Sequence, residues 1–466
     1  MLSIAIIGGG PGGYVAAIRA AQLGAEVTLI EKEHIGGVCL NEGCIPTKSL
    51  LHAAELLHHA RAAVADGIKV EGVSFDWEKV QEKKSSVVDK LVAGIGGLMK
   101  TNGIRVLWGE ASFENVNTLI VKLNDGGTET LTPDRIVIAS GSVPAIPPIP
   151  GVKESAYCID STAALSLPRV PEALVIIGGG VIGVELAYAY SSFGSEVAII
   201  EAMPEILPMM DAELSGQLRK ILVKEGIAVH VGAKVTMVED KNGAAVVQFE
   251  KKGEVLSVQC NHVLVAVGRR PETSVLNLKE TGVETDGARI ITNEKMQTNV
   301  SHIYAIGDCT SKTMLAHVAS VQGEIAVENA LGHDAVYDEK TCPSCIYTEP
   351  EFAGVGLTEQ MLKESGRAYK VGKFPMMANG KSLIMGGQGT VKVLLGDTGK
   401  LLGMHILGPR ATDMIAQGAL CIGKDMDIKD IIDTIYAHPT ISEAVREAVL
   451  AADGRAIHIN NPRKRG

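Results

Sequence analysis

The pentapeptide Ile6-Ile7-Gly8-Gly9-Gly10 recurs as Ile176-Ile177-Gly178-Gly179-Gly180, an offset of 170 residues. The register holds beyond it: Gly13 falls on Gly183, Gly24 on Gly194, Glu26-Val27 on Glu196-Val197 and Glu31 on Glu201. Self-similarity of this kind predicts two copies of one supersecondary unit. Each copy reads as an apolar strand, a G-x-G-x-x-G turn, an Ala-rich helix and a second apolar strand ending in Glu. Gly8 and Gly10 permit a tight turn and close approach of a pyrophosphate to the amides at the helix start, while Gly13 lets helix and strand pack closely. Glu31 can accept hydrogen bonds from an adenosine ribose. Gly178, Gly180, Gly183 and Glu201 take the same places in the second copy. There Glu201-Ala202-Met203 offers no Arg for a 2′-phosphate, so NAD(H) is expected over NADP(H).

A chain of 466 residues exceeds what one hydrophobic core organises, and three or four domains are expected. Its 44 basic and 54 acidic residues leave a net charge of −10, which repels a polyphosphate backbone and makes nucleic acid a poor partner. The basic run Arg463-Lys464-Arg465 reads as a solvated end. No segment offers the ~20 apolar residues of a membrane span, and Leu2 to Ile7 reads as a strand with no basic leader before it. A cytoplasmic location is the expectation. In that reducing compartment the 8 scattered cysteines are not a structural framework, and any disulfide should be a working one.

Residues 50–65 and 77–101 read as helices, and Arg135-Ile136-Val137-Ile138-Ala139-Ser140-Gly141 as a buried strand running into a turn. Pro144 to Pro150 reads as a linker. The run Val263 to Pro271, with Gly268 at its turn, is expected to close the second unit. From about 341 onward, alternation in 345–357 and 389–408 followed by helical stretches near 411–422 and 441–452 predicts an α+β domain.

The candidate chemistry lies just after Glu31, in Cys39-Leu40-Asn41-Glu42-Gly43-Cys44-Ile45-Pro46-Thr47-Lys48. Five residues of regular helix advance 7.5 Å at ~1.5 Å each, beyond the ~7 Å Cα limit for a disulfide. If Cys39 and Cys44 pair, the chain between them must be distorted, and Gly43 and Pro46 permit that. Lys48 can share a helical face with Cys44, where a cation favours a thiolate or a reduced, anionic flavin. Near the far end, His438-Pro439-Thr440-Ile441-Ser442-Glu443 puts a carboxylate where it can fold back on the imidazole. Such a carboxylate fixes the tautomer and raises basicity, which suits deprotonation of a thiol.

With Gly36-Gly37-Val38 before Cys39, the paired glycine fingerprints, Thr298 through Ile303-Tyr304-Ala305-Ile306-Gly307-Asp308, and the His438–Glu443 segment, the whole chain resembles the class I pyridine nucleotide-disulfide oxidoreductases. The resemblance implies an α/β fold of two Rossmann-like dinucleotide-binding domains, for FAD and NAD, plus a C-terminal α+β dimerisation domain. It divides the chain into an FAD-binding domain with the redox disulfide (1–145), an NAD-binding domain (146–271), a central domain completing the FAD site (272–340) and an interface domain (341–466). It implies that Asp308 holds the flavin's ribityl chain and that Lys48, paired with Glu185, sits near flavin N5. Ser140, Gly141 and Ala316 join the FAD candidates, and Gly268 the NAD candidates. The His438–Glu443 dyad would reach the Cys39–Cys44 disulfide of the other subunit, making an obligate homodimer with a shared active site.

Within that family, oxidation of dihydrolipoamide by NAD⁺ fits best, with a lipoyl-bearing protein of a 2-oxo acid dehydrogenase complex or the glycine cleavage system as partner. Glutathione-reducing relatives carry basic residues where Glu201-Ala202-Met203 stands. Mercury-reducing relatives carry a terminal cysteine pair that Asn460 to Gly466 lacks. A non-catalytic FAD-binding subunit is the alternative outside the class, and the intact Cys39, Cys44, His438 and Glu443 set argues against it. Two departures stand out. Glu42 occupies a place that is often apolar, where its charge would oppose thiolate formation; Tyr436 replaces a frequent His. Cys342-Pro343-Ser344-Cys345 lacks a second ligand pair, so reduced cysteines and no metal are expected there.

Overall fold

Each copy of the repeat builds the parallel heart of a sheet in the computed structural model, which describes residues 1–461; the run Arg463-Lys464-Arg465 lies outside the described residues. Strand Ser3–Ile7 has Ile4, Ala5, Ile6 and Ile7 buried, as expected of a central parallel strand covered on both faces. It pairs in parallel with Glu26–Glu31 on one side and Arg135–Ile138 on the other. In the second copy Ala173–Ile177 pairs in the same way with Glu196–Glu201 and His262–Val265.

The first sheet has seven strands in the order Ile303–Ala305, Arg135–Ile138, Ser3–Ile7, Glu26–Glu31, Arg105–Asn115, Thr118–Leu123, Thr128–Leu131. Its first strand therefore comes from the segment 272–340, and so does the helix Ala316–Ala330 that packs on Pro11–Gln22. The two helices cross closely because glycines meet there: a Cβ on Gly323 would lie 2.5 Å from the Gly12 carbonyl oxygen. The second sheet has five parallel strands, Ala228–Val231, Glu196–Glu201, Ala173–Ile177, His262–Val265 and Cys158–Ile159. An antiparallel meander, Ala233–Lys241, Ala244–Lys251 and Glu254–Cys260, is inserted before its fourth strand, an excursion the sequence reading lacks.

The carboxy-terminal unit is a five-stranded antiparallel sheet ordered Ser344–Ile346, Glu351–Gly356, Leu401–Gly408, Thr390–Gly396, Tyr369–Pro375. Leu401–Gly408 is buried throughout, and helices Ala411–Gly423 and Glu443–Ala452 pack on the sheet. Strand Tyr369–Pro375 escapes a periodicity reading because it is an edge carrying Lys370, Lys373 and Gly372. Gly372 is required where it stands, since a Cβ there would lie 2.0 Å from the Ala448 carbonyl oxygen.

One helix differs from expectation at its start. The segment read as 50–65 is the helix Cys44–Ala62, followed by a 3-10 turn at Ala63–Asp66. Pro46 does not delay the start because the amides of a first turn need no partner within the helix.

A buried ion cluster joins the second sheet's unit to the carboxy-terminal one. Lys392, 1% exposed, donates to both oxygens of Asp211 at 3.0 and 2.9 Å and to Glu213 at 3.0 Å, and lies 2.6 Å from Glu359 Oε2. Asp211 also caps the helix Ala212–Lys224. Among the described residues no helix is long and apolar enough to cross a membrane.

Candidate functional site

Both glycine turns open onto one cleft of about 1840 Å³. Gly8 and Gly178 sit at φ +104° and +111°, in backbone that L side chains rarely adopt. A Cβ on Gly13 would lie 1.8 Å from the Gly8 carbonyl oxygen, and one on Gly183 would lie 2.1 Å from that of Gly178, so these two glycines are what let each helix seat on its strand. Gly10 and Gly180 act differently. Both are helix N-caps without a side-chain hydrogen bond, and a Cβ on Gly180 would meet nothing within 4 Å, on Gly10 only Gly37 Cα at 3.9 Å. The space above both helix starts is therefore an open cradle walled by helix amides, the surroundings a dinucleotide pyrophosphate takes.

Glu31 and Glu201 line the same cleft, with much of their hydrogen-bonding capacity already used. Glu31 accepts from the backbone N–H of Gly9 at 2.7 Å and Glu33 at 2.7 Å; Glu201 accepts from Gly179 and Met203, both at 2.6 Å. Each carboxylate thus ties its own glycine loop to the end of the second strand, and what it offers a ribose is the remaining lone pairs.

The cysteines lie on two helices broken at Gly43. Gly37–Glu42 carries Cys39 and Cys44–Ala62 begins with Cys44; between them Gly43 adopts φ −145°, ψ −105°. The Thr47 hydroxyl closes the break by donating to the Gly43 carbonyl at 2.6 Å. No disulfide joins the two cysteines in this structure, and the chain between them is distorted as pairing requires. The Cys39 thiol is the main reason Cys44 is lowered to about 7, and Cys44 the main reason Cys39 is pushed far up; burial opposes the first shift, Lys48 assists it, and burial adds to the second. The acidic charge acting on Cys44 is that of Glu185. Glu42 lines the cleft and accepts a long 3.5 Å bond from the Thr162 hydroxyl, with the Arg269 guanidinium in its field.

Lys48 donates to Glu185 Oε1 and Oε2 at 3.0 and 2.8 Å, and the Glu185 side chain is 3% exposed. The Tyr347 ring stands 4.6 Å from the ammonium, and its backbone N–H donates to Glu185 Oε1 at 3.0 Å. Asp308 accepts from the Ser142 hydroxyl at 2.5 Å, and that hydroxyl in turn accepts from Arg269 Nε at 2.7 Å. Ser140, Gly141, Gly268 and Ala316 line the cleft with them.

The sequence reading missed Tyr347, Ser142 and Arg269. Arg269 had a signal, a charged residue directly after the turn glycine of the second unit, whereas Tyr347 had none because it lies in another domain.

The His438–Glu443 contact is present: Nδ1 to Oε1 is 2.9 Å, and Glu443 Oε2 accepts from the Thr440 N–H at 2.8 Å. Burial raises the Glu443 carboxyl, but the bonds from Thr440 and His438 outweigh it and hold the group below the usual range. His438 is 80% exposed and belongs to the carboxy-terminal surface, not to the cleft of its own chain. Tyr436 packs beside that domain's core and burial raises its phenol; nothing in the structure explains its presence. Cys342 and Cys345 are free thiols, raised to about 11 and about 12 chiefly by burial. Among the described residues no group of three or more His, Cys, Asp or Glu is arranged to hold a metal.

Residues 2–323 match the family described as pyridine nucleotide-disulphide oxidoreductase, and residues 342–449 match its dimerisation domain. A dihydrolipoyl dehydrogenase of Bacillus subtilis is 43% identical over 470 residues, covering 98% of each chain; one from Thermus scotoductus is 43% identical over 463 residues, again 98% of each. Among solved structures, LpdA from Mycobacterium tuberculosis superposes with a TM-score of 0.89 at 25% identity, covering 96% of this chain and 99% of that one. The HOCl-induced flavoprotein disulfide reductase RclA from Escherichia coli has a TM-score of 0.85 at 27% identity over 96% and 99%. With nearly every residue inside those matches and the glycine cradles and thiol pair on one cleft, the chain belongs to the pyridine nucleotide-disulphide oxidoreductase family.

Proposed function

We propose that this protein is a dihydrolipoyl dehydrogenase, oxidising dihydrolipoamide to lipoamide and reducing NAD⁺ to NADH by way of Cys39, Cys44 and FAD. The observation that carries the reading is the placement of two cysteines, on either side of a helix break, on the same cleft as both glycine cradles, beside a lysine held by a buried glutamate. FAD fits the first cradle, with Gly8, Gly10, Glu31, Ser140, Gly141, Asp308, Ala316 and Lys48 around it; NAD fits the second, at Gly178, Gly180, Glu201 and Gly268. Gly13 and Gly183 serve from beneath by seating the helices. Bound there, FAD supplies the acceptor for the electron pair of the cysteine couple, and NAD⁺ the final acceptor.

The chain's own residues do the thiol chemistry. The imidazole of His438, its other nitrogen held by Glu443, takes a proton from one substrate thiol. The substrate thiolate attacks Cys39 of the oxidised couple, forming a mixed disulfide and releasing Cys44 as thiolate. Attack by the second substrate thiol releases lipoamide and leaves Cys39 reduced. Lys48, fixed by Glu185, and the start of helix Cys44–Ala62 favour the anionic form of Cys44.

The chain divides, on this reading, into segments 1–145, 146–271, 272–340 and 341–466. The last forms the homodimer interface and brings His438 of one protomer to the cysteines of the other, and the substrate arrives on a lipoyl-bearing protein. Steady-state assays with dihydrolipoamide, glutathione and Hg(II), each with both nicotinamide cofactors, test it. Turnover of dihydrolipoamide with NAD⁺ is expected; turnover confined to glutathione or Hg(II) with NADPH overturns the reading.

A further inference from the structure

Three segments remote in sequence converge on the Lys48 ammonium. Helix Cys44–Ala62 carries it one turn beyond Cys44, helix Val181–Ser192 brings Glu185, and the carboxy-terminal unit brings Tyr347 directly after its first strand. Tyr347 engages the ion pair twice, with its ring 4.6 Å from Nζ and its N–H donating to Glu185 Oε1 at 3.0 Å. The ring also lines the cleft. Lys48 is 31% exposed where Glu185 is 3% exposed, and it lines the cleft, so its flexible stem is held on one side only. An ammonium is a compact point charge on a flexible stem, and its direction is set by the groups that hold it. The face of an aromatic ring attracts a cation, more so when the cation is partly desolvated.

We propose that Tyr347 is a positioning residue of the redox site: its ring and its backbone N–H together hold the Lys48–Glu185 pair so that the cation bears on Cys44. The proposal rests on the reading of Cys39 and Cys44 as the redox couple. It gives the carboxy-terminal unit a part in its own chain's cleft. The charged and titratable groups in the field of Cys44 are Cys39, Lys48, Glu185 and Arg269, with Cys345 beside Lys48. Lys48 is the cation that Tyr347 touches.

The test is alkylation of Cys44 followed across pH by mass spectrometry, on FAD-loaded enzyme kept in the dithiol form by a phosphine and free of substrate. Tyr347→Leu removes the ring, and the thiolate fraction of Cys44 at a fixed pH should fall about three- to tenfold, the range a cation–π contact of this kind spans. Tyr347→Phe keeps the ring face and should stay within about twofold of wild type. Pentafluorophenylalanine at 347 keeps the shape of Tyr347→Phe while removing the negative face. It should behave as Tyr347→Leu does, and it answers the question should the leucine variant lose FAD. In a Lys48→Met background, Tyr347→Leu should add nothing, since its effect runs through Lys48. An unshifted profile in the leucine and fluorinated variants, or the same shift with Lys48 absent, overturns the proposal. Dihydrolipoamide turnover of wild type, measured on the same preparation, separates the two claims: its absence sinks the functional reading, whereas turnover without a Tyr347 effect sinks only this one.

Discussion

Cys44 opens a helix and has the Cys39 thiol acting on it, and those two local influences make it the more acidic thiol of the pair. Replacing Cys44 by Ser should abolish dithiol oxidation while FAD stays bound; retained lipoamide turnover in that variant would remove Cys44 from the chemistry. Because the thiol is lowered to about 7, its anion gains population as pH rises through that value. The cysteine-linked long-wavelength flavin absorbance of the reduced enzyme should therefore be weak below pH 6 and grow through pH about 7. A flat absorbance across that range argues against the assignment. At this scale Cys39, Cys44 and Lys48 were legible because they sit within one short segment. Tyr347 was not, because what matters about it is proximity across domains.

Elements act here through the space between them. Gly183 is the contact by which helix Val181–Ser192 meets strand Ala173–Ile177, so Gly183→Ala should weaken NAD(H) binding at least about tenfold while FAD content stays at wild-type level. Titration of both cofactors distinguishes this from general misfolding, in which FAD is lost as well. The Lys392 cluster joins two units by charge. Lys392→Met leaves Asp211 buried without its cation and should lower the first unfolding transition by about 3 kcal/mol or more, read by denaturant melting. Glu359 belongs to the same cluster. Burial raises its carboxyl, yet bonds from Lys363 and Lys392 win and hold it at about 2. A depressed carboxyl contributes stability that is present above its unfolded value of 4.5 and is lost as pH falls through about 2. Acid unfolding of wild type should accordingly be steep in that window, and shallower in Glu359→Gln; equal slopes would detach Glu359 from the lock.

For the whole molecule, the dyad and the thiols occupy different surfaces of one chain. His438 is exposed, as are Ile435 at 95% and Ile384 at 73% in the same domain, apolar side chains that gain from a partner. If the site is shared, chains carrying Cys44→Ser and chains carrying His438→Gln are each inactive as homodimers. Dissociated and reassociated together they should regain about a quarter of wild-type turnover, since about half the dimers are mixed and each holds one intact site. No recovery would place the whole site in a single chain.

The amino-acid sequence by itself determined the two parallel modules, the glycine positions at their turns, the cysteine segment with its break at Gly43 and the His438–Glu443 contact. These are local patterns, and short-range sterics and periodicity decide them. Only the tertiary structure decided that strand Ile303–Ala305 completes the first sheet, that Lys392 locks the units together, and that Tyr347 stands against Lys48. It also decided that Glu31 and Glu201 spend much of their hydrogen bonding on their own loops. Each of these depends on which surfaces are driven together when apolar area is buried, and that choice is made by the whole chain at once.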